Sequence, residues 1–166
     1  DAVFETVSGF TTTGATVLTQ IEGLPTGVLF WRAQTQWMGG VGVLVLALAL
    51  IPKLGEGSVY LMRAESPGPI KSKLTPRLGD TAKILYIIYI GLTAAETICL
   101  RLAGMSWYEA LTHSFTTIST GGFSVRNASI AAYDSMLIDW IIIVFMFLSG
   151  INFALLFYAV RRNFKA

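Results

Sequence analysis

Ser119-Thr120-Gly121-Gly122 repeats, in residue type and order, Thr12-Thr13-Gly14-Ala15. Gly14 and Gly121 lie 107 positions apart, while Asp1-Ala2-Val3 and Glu109-Ala110-Leu111 match at a spacing of 108, so the pattern places one inserted residue between the copies. Each loop follows a short run rich in Ser, Thr and Phe, and each is later followed by a long apolar stretch. A polar, glycine-containing loop at membrane depth cannot face lipid, because its backbone donors and acceptors would go unpaired there. It has to line a water-filled or ion-filled cavity. Two such loops in one chain predict a pore assembled from repeated units.

The composition agrees with a membrane environment. Of 166 residues, 54% are hydrophobic and only 13% charged, less charge than the surface of a soluble domain this size normally carries. A net charge of +2 is too small to argue for nucleic acid, and no RNP, helix-turn-helix or zinc-finger pattern occurs. Cys99 is the single cysteine and lies in an apolar run, so it forms no intrachain disulfide and is expected to pack as a small hydrophobe. The chain begins at Asp1, inside what reads as a repeat and without a visible signal peptide, and is expected to be an internal fragment of a longer protein.

The hydrophobic pattern predicts an all-α integral membrane protein of helix–pore-loop–helix repeats, with three transmembrane helices and two re-entrant half-helix/filter loops. Residues 1–13 are too short to span and are expected to enter the membrane as a half-helix ending at Gly14. Full spans are expected at Val28–Ile51, with Trp31 and Trp37 at its interfacial end, at Ile84–Ala103, and at Leu137–Tyr158. A second half-helix runs from Trp107 to Ile118 and delivers the loop 119–124; Gly39-Gly40-Val41-Gly42 is expected to let another backbone come close. The organisation is therefore 1–52 (half-helix, loop and second helix of one repeat), 53–83 (a connection) and 84–166 (a complete second repeat).

Charge supplies the orientation. Nine of the twelve basic residues fall in 53–83 or in the tail Arg161, Arg162 and Lys165, which places both on the cytoplasmic side. Both loops then enter from outside, as three crossings and two re-entrant segments require.

The loop chemistry suits a cation. A permeating cation sheds water and needs replacement oxygens, which inward-pointing carbonyls supply, with Thr hydroxyls beside them. Each half-helix ends at its loop, so its negative dipole end faces the ion; an anion site would use helix N-termini instead.

Five segments carry a resemblance: FETVSGFTTTGATVL (4–18), QWMGGVGVLVLALALIPKLG (36–55), YLMRAESPGPIKSKLTPRLGDTAK (60–83), THSFTTISTGGFSVRNASI (112–130) and FMFLSGINFALLFY (145–158). Together they resemble the Trk/Ktr/HKT superfamily of potassium transporters, and within it the bacterial TrkH/TrkG membrane subunits. That family arranges four repeats in one chain around one pore. The resemblance implies that Thr12, Thr13 and Gly14 form the first filter segment and Ser119, Thr120 and Gly121 the second, with K⁺ held mainly by carbonyl oxygens just before each glycine. A serine at the first filter glycine accompanies sodium preference in some plant members, so glycine at Gly14 favours potassium. The resemblance also implies a bacterial inner membrane location, a homodimer of the full-length chain with one pore per protomer, and a cytoplasmic nucleotide-binding regulatory subunit (TrkA-like). That partner would meet the stretch 53–83, which carries six basic and three acidic residues. The resemblance implies K⁺ as the transported ion, and no organic cofactor is expected. Against the family pattern the chain is expected to lack the first helix of repeat one and repeats three and four, and so not to conduct alone.

Other chemistries fare poorly. His113 is the only histidine and falls on the second half-helix, where packing or hydrogen bonding is expected; no G-x-S-x-G, zinc or Walker pattern accompanies it, so no enzyme is predicted. Glu96 lies about mid-span, either paired with a neighbouring helix or on an ion pathway. Asn152 is expected to hydrogen-bond between helices, and the Asn127-Ala128-Ser129 sequon to be silent. The alternatives are a secondary transporter with broken helices binding another cation or a solute, which would want charged or aromatic groups beside the breaks, and a non-transporting assembly module.

Overall fold

The computed structural model describes residues 1–50 and 78–151, with side chains described for 1–42 and 85–151. Most of the expected connection, the end of the last span, Asn152 and the basic tail lie outside the described residues. Five α-helices are described: α1 (Ala2–Phe10), α2 (Thr26–Leu50), α3 (Leu78–Leu102), α4 (Trp107–Ile118) and α5 (Met136–Gly150), with a 3₁₀ turn at Ser129–Tyr133. No strand occurs among the described residues.

Local signals set the boundaries. Pro25 precedes α2, and its carbonyl accepts from the amides of Val28 and Leu29. The hydroxyl of Ser106 accepts from the Glu109 amide while the Glu109 carboxylate reaches back to the Ser106 amide, a reciprocal cap that starts α4. At the far end of α3, Gly104 at φ +110° closes the helix: its amide donates to Arg101 and the Met105 amide to Leu100. Met105 and Leu100 then share one apolar cluster with Ala110, Ile138 and Ile142, which ties the α3–α4 corner to α5.

The second half-helix and the first two long helices stand where the periodicity places them, and α5 begins where the last span is expected but stops at Gly150, where Ile151 turns extended, short of the Tyr158 expected. Three further details differ. First, α1 ends at Phe10 rather than at Gly14, because the next two residues already form its cap. Second, α3 begins at Leu78, so residues 78–83 are helical. Third, Trp37 is not interfacial: its ring packs on Tyr89 and Phe115, at centroid distances of 5.5 and 5.4 Å, and its Nε1 donates to Thr93. Trp37 faces α3 and α4, whereas Trp31 on the same helix is exposed.

Polarity runs opposite to that of a water-soluble protein. Large apolar side chains such as Val3, Ile87, Leu102 and Phe147 are exposed, while Glu5, Arg32, Gln36, Glu96, Thr112 and His113 are buried. An apolar exterior over a polar interior fits helices set in lipid. The stretch Leu85–Leu102 of α3 is long and apolar enough to cross a membrane.

The glycine patch on α2 is a packing device, as expected. A Cβ on Gly39 would run into the backbone at Phe10, and one on Gly40 would stand 3.0 Å from the Ser119 side chain. The C-terminal ends of both half-helices thus rest directly on the α2 backbone. Gly39→Ala is expected to lower stability by about 1–3 kcal/mol, as overpacking does. Thermal unfolding in detergent measures this, and an unchanged midpoint would show that α1 does not rest there.

Candidate functional site

α1 and α4 end in the same backbone motif, and that motif builds the two loops. The Thr12 amide donates to Gly9 and the Thr13 amide to Ser8; the Thr120 amide donates to Thr117 and the Gly121 amide to Thr116. Each is the paired closure that usually places glycine in the left-handed position. Here threonine occupies it, with Thr12 and Thr120 both at φ +55°. A β-branched residue there is a genuine outlier, strained by roughly 1–3 kcal/mol. The same strain at two equivalent points marks a constrained backbone.

The geometry also corrects the repeat register. Thr12 matches Thr120, and Gly14 at φ +74° matches Gly122 at φ +89°, so the spacing is 108 throughout with no inserted residue. The Gly14 and Gly122 amides donate to the equivalent carbonyls of Ser8 and Thr116. Gly121, taken from the sequence as the partner of Gly14, instead corresponds to Thr13. The glycine-to-glycine match is misleading because Gly121 has no counterpart glycine in the first copy.

The two loops touch. A Cβ added to Gly14 would collide with the Gly121 carbonyl oxygen. Thr12, Thr13 and Gly14 are therefore brought together with the segment of Ser119, Thr120 and Gly121.

Hydrogen-bond accounting gives the loops their chemistry. The amides of residues 11–14 and 119–122 all donate back into their own half-helices. Among the described residues, none of the carbonyls of residues 11–14 or 119–122 accepts a hydrogen bond. The loops present acceptors with no spare backbone donors, at helix ends that carry partial negative charge. That combination favours a cation over an anion.

Around the loops lies a polar frame. Arg32 on α2 pairs with Glu5 of α1 at 2.9 Å, with both side chains buried. Its guanidinium also donates to Thr16 Oγ1 and the Ser124 carbonyl, and lies 4.0 Å from the centroid of the Phe123 ring. Glu5 accepts in addition from Thr16 Oγ1 and the Val17 amide. In the second copy His113 stands where Glu5 does, 108 residues on, and its Nε2 meets Ser124 at 3.0 Å, the counterpart of Thr16. Its Nδ1 lies 2.8 Å from the Glu109 carbonyl, so His113 has the hydrogen-bonding role expected of it. Asn127 ties the two exits together: Oδ1 accepts from the Ile21 amide, and its own amide donates to Glu22.

At the N-terminus of α4, Glu109 pairs with Arg126 at 2.6 Å. Partial burial alone would push its carboxyl up, but hydrogen bonds from Ser106 and Arg126 outweigh that and hold it below the usual carboxylate range. Glu96 on α3 is fully buried beside Thr117, at a geometry that leaves both carboxylate oxygens without a hydrogen bond among the described residues.

The family described as TrkH, a cation transport protein, matches residues 1–165. The chain belongs to the TrkH family. The Trk system potassium uptake proteins TrkH of Halomonas elongata and Escherichia coli K12 are 51% and 50% identical to it, over 98% and 95% of this chain. TrkG of Escherichia coli K12 is 45% identical over 98%. The crystal structure of the potassium transporter TrkH from Vibrio parahaemolyticus matches with a TM-score of 0.79 at 44% identity, covering 96% of this chain and 31% of that one. The chain spans about a third of the length of these relatives. As a TrkH-family chain it is an all-helical membrane protein of pore-loop repeats, and the relatives named are transporters.

Sequence reading did not single out Glu5, Arg32 or Gln36. The available signal was Arg32 itself: a lone basic residue inside a predicted span is expected to be paired.

Proposed function

We propose that this TrkH-family segment contributes two of the filter loops of a potassium uptake pathway in the bacterial inner membrane. The carbonyl oxygens of residues 11–14 and 119–122, with hydroxyl oxygens of Thr12, Thr13 and Thr120, stand in for the hydration shell of K⁺. Ser119 contributes backbone only, since its side chain packs against Gly40 and its hydroxyl donates to the Thr116 carbonyl. The observation that carries this reading is the pairing within the loops: every amide is spent on a half-helix, and among the described residues no donor takes up the carbonyls. The relatives named as potassium uptake proteins support potassium as the ion. Two loops cannot surround an ion, so the remaining oxygens come from the rest of the longer protein.

In the same reading both loops enter from outside, and residues 53–83 and the C-terminus face the cytoplasm, as the basic residues favour. The full-length chain works as a homodimer with one pore per protomer. Its basic cytoplasmic stretch meets a nucleotide-binding regulatory subunit, which carries any gating nucleotide.

Expression of the full-length parent in cells lacking potassium uptake is expected to restore growth at low potassium. Failure to restore growth, with normal expression and membrane insertion, would count against the assignment.

A further inference from the structure

The proposed pathway leaves open what fixes the two loops relative to one another, and Gln36 answers that; the inference rests on the potassium reading. Gln36 lies on α2 and is fully buried. Its Oε1 accepts from the Phe123 amide at 3.1 Å, just beyond the second loop. Its Nε2 lies 2.6 Å from where a Cβ on Gly121 would be, and 3.5 Å from the same point on Gly14. The one side-chain amide therefore reaches both loops at the place where they touch. On the same helix Gly39 and Gly40 brace the ends of the two half-helices, so α2 is a common post for both repeats.

Nε2 has no hydrogen-bond partner among the described residues. A buried amide with an unpaired donor is disfavoured relative to an apolar side chain of similar size. Here the donor lies against loops whose carbonyls likewise accept no hydrogen bond among the described residues. Gly121 has no side chain for the same reason: the Gln36 amide fills that space.

We propose that Gln36 is a positioning residue that sets the separation of the two filter loops and thereby the discrimination of K⁺ from smaller Na⁺. Loops held at a fixed spacing cannot close onto a smaller ion, whereas loops released from the post can. Gln36 acts through the Phe123 amide and the Gly121 backbone.

The test uses the full-length parent in uptake-deficient cells, with K⁺ and Na⁺ uptake measured separately. Gln36→Leu is expected to lower the K⁺/Na⁺ uptake ratio by about five- to tenfold, the equivalent of roughly one hydrogen bond. Total cation flux is retained, a result that loss of fold would not give. Gly121→Ala is expected to block K⁺ uptake, and Gln36→Ala in the same chain to restore part of it by vacating the space. An unchanged ratio in Gln36→Leu overturns the proposal. Should Gln36→Leu not reach the membrane, the paired variants decide: no recovery in Gly121→Ala/Gln36→Ala overturns it equally. Absence of K⁺ uptake by the unmodified parent overturns the potassium reading itself.

Discussion

Gly14→Ala is expected to abolish potassium uptake by the full-length parent while leaving the protein in the membrane. Two effects act on the added methyl group. Alanine at φ +74° is strained, at about 1–2 kcal/mol. That alone is tolerable, since Thr12 and Thr120 already bear such a conformation. The decisive effect is steric: the new Cβ runs into the carbonyl oxygen of Gly121. The collision is with backbone, so no rotamer relieves it, and the loops must move apart. A displaced Gly121 carbonyl is lost to an ion at that level. Gly104→Ala is the control, because Gly104 has φ +110° but open space where its Cβ would go, far from the loops. It carries the conformational penalty without the collision and is expected to keep uptake. Equal effects of the two substitutions, measured by low-potassium growth and by initial uptake rate, would show that backbone strain and not loop contact explains the loss. Serine at Gly14 adds the same Cβ, which gives a physical reason for it to alter K⁺/Na⁺ preference.

The second large effect is expected at the buried ion pair. Glu5→Gln leaves the Arg32 guanidinium buried without a counter-charge, a change that costs about 3–5 kcal/mol. Arg32 also holds Thr16, Ser124 and the Phe123 ring, so both loop exits loosen together. An uncompensated positive charge beside the proposed cation path adds repulsion to the loss of order. The double variant Glu5→Gln/Arg32→Gln removes both charges and is expected to be more stable than the sum of the single effects predicts. Thermal unfolding of the four proteins in detergent measures the coupling. A Glu5→Gln protein that melts with the parent, or strictly additive single effects, would mean the pair is not the brace described.

Much of this arrangement could be read before any coordinates, and the exceptions have physical causes. The half-helix Trp107–Ile118 is legible because Gly104 and Ser106 punctuate it on one side and the Thr-Gly loop on the other. The end of α1 is not. Residue rules place glycine in the left-handed closing position, and here Thr12 occupies it, so the helix stops earlier than Gly14 implies. The same substitution hides the register: glycine identity pairs Gly14 with Gly121, whereas backbone conformation pairs it with Gly122. Glu5, Arg32 and Gln36 are invisible for another reason. Each stands among other polar residues of its helix, Thr6 and Ser8 on α1 or Gln34 and Thr35 on α2, and its meaning arises only when α1, α2 and the second loop meet. Glu96 was legible as a buried acid, but its partner was not: no described residue supplies one.

In the proposed pathway, backbone oxygens of the two loops hold the ion. Anomalous diffraction from crystals of the full-length parent grown with rubidium in place of potassium locates that ion. Rubidium density is expected against the carbonyls of residues 11–14 and 119–122. Rubidium bound elsewhere, with those carbonyls turned onto protein donors, would overturn the assignment.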